Sequence, residues 1–214
     1  MSRDASQKSF LHGNGGNLTH EMHNLVLLHD QIGCDLFIFD YRGHAKSSNI
    51  TPTQTGLIQD TISAIKQLKV IKNDSNLKPI IFGRSLGGAI VFHSILPMIK
   101  EHGINIENSL SSAWDAIGNN FLYPLIVDKW NNMQCIDELR EHNLIDIPIL
   151  FISGRSDTVL DPVMMDNLFG YCKEEGCFSN VAWKEFELGD HNDTYLCDGY
   201  TNCVEAFIDS VALL

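Results

Sequence analysis

Positive charge is in short supply in this chain. Fifteen Lys and Arg stand against 27 Asp and Glu, a formal net charge of −12 over 214 residues. That excess repels phosphate backbones and anionic lipid, and no local Lys/Arg cluster offsets it, so no nucleic-acid partner is expected. Long apolar runs are missing too. None approaches the roughly eighteen residues of a membrane span, and the opening MSRDASQKSF lacks a signal peptide's apolar stretch. The expectation is a soluble, cytoplasmic chain with no membrane span. C-x-x-C is absent: the six cysteines (Cys34, Cys135, Cys172, Cys177, Cys197, Cys203) are scattered, which fits small buried thiols better than disulfides or a metal site. The histidines have no metal-ligand spacing; His20 and His23 lie three apart but have no evident carboxylate or cysteine partner, so no metal is expected. Repeats and low-complexity linkers are also lacking.

What remains is an ordinary globular composition, 44% hydrophobic and 20% charged. At this length one domain spanning 1–214 is expected, burying roughly 70% of the unfolded surface. Short apolar runs closed by Gly or Asp, DLFIFD (35–40), PIIFG (79–83) and IPILFISG (147–154), read as buried parallel strands. VAWKEFE (181–187) reads as a less buried strand, with SFLH (9–12) and INI (104–106) as weaker candidates. Between them, 18–32, 55–70, 86–96, 161–175 and 201–214 have helical character; Leu57, Ile58, Ile62, Ile65 and Leu68 mark one face of the second. Strand alternating with helix predicts an α/β fold on a mostly parallel sheet flanked by helices. The segment 113–130 fits neither period and is either a small cap or an awkward helix pair.

Gly83-Arg84-Ser85-Leu86-Gly87 matches G-x-S-x-G. Chance alone produces that match in roughly one chain in fifteen of this length, so its context decides. A buried strand ends at Gly83 and an apolar helix begins at Leu86, which is the setting of a strained nucleophile elbow. The alternative is a tight turn with an incidental serine. A nucleophilic serine needs a base and the base an orienter, in the chain order Ser, acid, His. Asp157, just past the end of IPILFISG, and His191, in the loop after VAWKEFE, occupy those places; the alternative for each is a solvated loop residue. Asp161 reads as the cap of a helix opening at Pro162, and Asp190 and Asp193 as loop acids beside the histidine. A tetrahedral oxyanion needs two donors. Leu86 N–H is one candidate, and the glycine-rich loop HGNGGN (12–17), through Asn14, supplies the other. That loop matches neither G-x-G-x-x-G nor the P-loop, so a phosphate cradle is the weaker reading. His12 and His44 read as structural. Four N-x-[ST] matches begin at Asn17, Asn49, Asn73 and Asn192; two fall in these site stretches, where a glycan would not fit, and all four are set aside.

In order, HGNGGN, DYRGHAKS, FGRSLGGA, LFISGRSDTVLDPVMM and GDHNDTY resemble the α/β-hydrolase domain-containing protein 13 group, the bud-emergence-like serine hydrolases, from about Phe10 to the C-terminus. The resemblance implies an α/β-hydrolase fold, Ser85, Asp157 and His191 as a charge-relay triad, and the HGN loop as oxyanion hole. It also implies a membrane anchor and early strands ahead of that loop, whereas eleven residues precede His12. On that reading the first strands are lacking, DLFIFD lies at an uncovered sheet edge, and the chain is marginally stable or self-associating. INIENS is short for the strand it would supply.

The expected activity is hydrolysis of a carboxylic ester, thioester or amide through an acyl-enzyme, with no cofactor. The substrate would be a small molecule or an acylated protein, and relatives of the family suggest protein depalmitoylation as a narrower version. The alternative is a non-catalytic ligand-binding or scaffold homologue on the same fold.

Overall fold

A computed structural model describes residues 8–11, 18–33, 35–77, 79–99, 105–107, 130–142, 147–174, 178 and 180–211. Six strands, β1 (Lys8–Leu11), β2 (Leu36–Ile38), β3 (Ile80–Gly83), β4 (Asn105–Glu107), β5 (Ile149–Gly154) and β6 (Val181–Phe186), form one sheet in the order β2-β1-β3-β4-β5-β6. Every pairing between them is parallel. The helices are α1 (Leu18–Ile32), α2 (Gln54–Lys72), α3 (Leu86–Ile99), α4 (Asn132–Glu141), α5 (Val163–Glu174) and α6 (Tyr200–Val211), with a 3₁₀ turn at Thr194–Leu196. The alternating reading of the sequence is the architecture observed, all parallel in the described part. Most of the 113–130 segment lies outside the described residues.

Alternation along β5 shows why the sheet carries helices on both faces. Ile149 and Phe151 enter a core with Ile81, Ile90, Phe92, Ile95, Leu57, Ile136 and Leu168, contributed by β3, α2, α3, α4 and α5. Leu150 and Ile152 enter a second core with Ile32, Phe186, Tyr200, Val204, Phe207 and Ile208, contributed by α1, β6 and α6. Full burial of each such side chain is worth about 1.5–3 kcal/mol, so a strand apolar at every position is stable only between two helical layers.

Local signals set the helix ends. Thr53 caps α2 by accepting the Gly56 N–H at 3.1 Å, and Asn73 closes it in the left-handed region at φ 52°. Asp161 Oδ1 accepts the Val163 N–H at 3.0 Å at the start of α5, the capping role expected of it. Helix α4 was not expected: its buried stripe is Asn132, Cys135, Ile136 and Leu139, helical in spacing but half polar or small in type.

Among the described residues β2 is an outer strand of the sheet, and Leu36, Phe37 and Ile38 are half-buried. The short INIENS strand is three residues long and bridges β3 to β5. Because all strands run the same way, the segments that follow β3, β5 and β6 gather at one edge of the sheet, where open α/β sheets bind their ligands.

Candidate active site

The turn after β3 is built from close backbone approach. A Cβ on Gly83 would lie 2.6 Å from the Gly87 carbonyl oxygen and 2.7 Å from Gly88 Cα, so this position admits only glycine. The chain then passes through Ser85 at φ 56°, a left-handed conformation for a residue that carries a Cβ. Such a residue costs roughly 1–3 kcal/mol and persists only where its surroundings over-determine it. Here Gly87 N–H bonds to Arg84 O at 2.9 Å and Gly88 N–H to Ser85 O at 3.1 Å, winding the strained residue directly into α3. Leu86 is the first residue of α3, where backbone N–H groups have no intrahelical partner.

Asp157 and His191, thirty-four residues apart, meet at the same edge: His191 Nδ1 lies 2.8 Å from Asp157 Oδ2. The other carboxylate oxygen accepts the Val159 and Leu160 N–H groups, both at 2.8 Å. Burial alone would raise this carboxyl; the His191 hydrogen bond, followed by those of Leu160 and Val159, outweighs it and holds Asp157 below its ordinary value. An ionised Asp157 must accept, so His191 Nδ1 carries the proton and Nε2 is left as the basic nitrogen.

The two loops that supply this pair are laced together. Arg155 N–H bonds to Phe186 O at 2.9 Å and Ser156 N–H to Gly189 O at 3.0 Å, extending the β5–β6 pairing past the strand ends. Asp190 completes the clasp. Its Oδ1 accepts the Thr158 N–H and the His191 N–H, each at 2.8 Å, and the Thr158 hydroxyl at 3.0 Å. The Thr158 N–H, then the His191 N–H, hold this half-buried carboxyl below its ordinary value. Thr194 Oγ1 donates to the Asp190 carbonyl at 2.7 Å. It also packs against two glycines: a Cβ on Gly154 would lie 2.6 Å from Thr194 Oγ1, and one on Gly189 2.7 Å from it. Sequence reasoning read Asp190 only as a loop acid beside the histidine and Gly154 only as the close of a strand, and passed over Thr194 and Gly189. The available signal was glycine closing β5 and again opening GDHNDT.

Of the expected site residues, the structure brings Asp157 and His191 into contact and sets Ser85 and Leu86 after β3 at the same sheet edge. Asn14 and His12 lie outside the described residues. His44 sits on the loop after β2, its Nδ1 donating to the Arg42 carbonyl at 3.1 Å and its ring edge-on to Tyr41. Cys135, Cys172, Cys197 and Cys203 form no disulfide; the first two are buried and the last two half-exposed, where burial had been expected. Among the described residues no group of three His, Cys, Asp or Glu is placed to hold a metal ion, and no helix is long and apolar enough to cross a membrane.

Residues 10–94 match the family model of the alpha/beta hydrolase fold. An uncharacterised membrane protein of Saccharomyces cerevisiae is 30% identical over 202 residues, which cover 91% of this chain and 68% of that protein. Protein bem46 of Schizosaccharomyces pombe is 28% identical over 206 residues, 93% of this chain and 66% of that protein. The chain belongs to the bem46-like group of α/β-hydrolase domain proteins. It spans about two thirds of the length of these relatives. The fold likeness extends to the esterase Pf2001 of Pyrococcus furiosus, with a TM-score of 0.68 at 20% identity over 96% of this chain and 82% of that one.

Proposed function

We propose that the protein is a serine hydrolase that cleaves a carboxylic ester, thioester or amide, with Ser85 as nucleophile, His191 as general base and Asp157 as its orienter. The observation that carries this reading is the 2.8 Å Asp157–His191 bond at the sheet edge where a serine is held at φ 56°. In the mechanism, Ser85 Oγ attacks the acyl carbon as its proton passes to His191 Nε2, and Asp157 stabilises the imidazolium. The Leu86 N–H, with a second donor from the 12–17 loop at Asn14, stabilises the oxyanion. Collapse returns the proton to the leaving oxygen, sulfur or nitrogen and leaves an acyl-serine. Water, deprotonated by His191, then attacks the acyl carbon, releasing the carboxylic acid and restoring the serine.

The net charge of −12 disfavours strongly anionic substrates, which suits a neutral acyl ester or an acyl group carried on a protein thiol. Depalmitoylation of proteins is the narrower form of this reading. The test is turnover of short- and long-chain acyl esters and an S-acyl peptide. Ser85→Ala should lower kcat by a factor on the order of a million if the three residues act as a unit. A folded Ser85→Ala protein with parental turnover would refute the assignment.

A further inference from the structure

Behind the nucleophile turn lies a charge pair that the proposed chemistry does not use. Arg84, the residue before Ser85, places Nη2 against Glu21 Oε1, in hydrogen-bond contact. The carboxylate is almost fully removed from water, with a side-chain exposure of 3%, and the guanidinium is 20% exposed. Glu21 stands in the first turn of α1, the helix that follows the 12–17 loop. Two tyrosines feel the charge of the pair: Tyr41, fully buried just after β2, and Tyr195, in the 3₁₀ turn four residues past His191. Burial drives the Tyr41 phenol well above its ordinary value, and the negative charge of Glu21 adds to the shift. Burial also raises Tyr195, with Arg84 pulling it down and Glu21 and Asp193 pushing it up. Two segments that bear on the chemistry, the serine turn and the helix after the glycine loop, therefore meet at one ion pair.

Such a pair is a poor device for stability. Desolvating two charges offsets most of their attraction, and well-packed apolar residues of similar volume commonly serve as well or better. The Arg84 Nε adds a further cost, being buried with no hydrogen-bond partner among the described residues. What an apolar pair lacks is direction. A guanidinium bonded to a buried carboxylate ties the side chain adjoining Ser85 to α1 by a directed N–H···O contact.

We propose that Glu21 and Arg84 are positioning residues for the nucleophile: the pair locks the strained Ser85 turn to α1 and so sets the placement of the serine hydroxyl relative to His191. The inference rests on the serine-hydrolase reading. It explains why a turn carrying a non-glycine residue at φ 56° is tied down by a side chain as well as by its backbone.

The test compares the parent chain with two variants. Arg84→Lys keeps the charge and loses the planar fork; Arg84→Met combined with Glu21→Leu removes both charges, stranding neither. The readouts are the melting transition, the rate of Ser85 labelling by a fluorophosphonate, and kcat and KM on an ester. A misplacement near 1 Å is worth up to about a hundredfold in rate. The double variant should therefore melt cooperatively near the parent yet label about ten- to a hundredfold more slowly, with kcat lowered and KM held. Arg84→Lys should label about tenfold more slowly. Parental labelling rates in either folded variant would overturn the proposal and leave the pair a structural one. A parent chain that is not labelled at Ser85 would instead overturn the serine-hydrolase reading, and the proposal with it.

Discussion

The Gly189 carbonyl oxygen lies 2.5 Å from the place a Cβ on Gly154 would occupy. The end of β5 and the histidine loop are thus in backbone contact with no room for a side chain, and this contact lets a carboxylate from one loop reach an imidazole on the other. Gly154→Ala must push the loops apart. Overpacking of this kind costs about 1–3 kcal/mol of stability, and the displaced His191 should lower kcat by about a hundredfold. Urea unfolding and ester turnover measured on the same preparation check both numbers.

The acid assignment separates two aspartates four residues apart. Asp157→Asn replaces the acceptor at His191 Nδ1 with a group that favours the wrong tautomer, so kcat should fall by about ten-thousandfold with the fold kept. Asp161→Asn disturbs only the start of α5 and should leave turnover near parental. Reversed outcomes in the two purified variants would show that the acid is Asp161.

Asp190 should matter through His191. Asp190→Ala removes the acceptor that joins the Thr158 and His191 N–H groups. A loosened general base should cost about ten- to a hundredfold in kcat with little change in KM. Steady-state kinetics across an ester series provides the measurement.

Acid sensitivity should trace in part to His93, a residue of α3 that no catalytic step uses. Its ring is edge-on to Trp130 at 5.6 Å between centroids and its Nδ1 is 3.3 Å from Gln54 Nε2. Burial lowers it to about 4. The unfolded chain binds this proton near pH 6.5, where the folded chain does not, so stability is full above that pH and falls as pH drops toward 4. The loss should total about 3 kcal/mol. In urea titrations at pH 7, 6, 5 and 4.5, His93→Leu should show a shallower acid decline than the parent.

Much of this architecture was legible because its signals are local. Apolar runs closed by glycine gave the strands, and helix α1 occupies the same residues, 18–32, that its apolar spacing marked. The meeting of Asp157 and His191 was legible from their places after successive strands. The features that escaped are those whose meaning lies in a partner far along the chain. Asp190 looks like any loop acid until Thr158 stands beside it, and Arg84 like any residue of G-x-S-x-G until Glu21, sixty-three positions earlier, closes on it. Helix α4 escaped for another reason. Asn132 and Cys135 hold two of its four buried positions, so the apolar stripe is half disguised by residue type.

A Ser85 nucleophile activated by His191 and Asp157 should react with a serine-directed electrophile. Reaction of the purified chain with a fluorophosphonate, followed by mass spectrometry of the digested adduct, tests it most directly. One adduct is expected, on Ser85 in the peptide containing GRSLGG, formed far more slowly in Asp157→Asn and absent in Ser85→Ala. An adduct on another serine, or none on a folded parent chain, would contradict it.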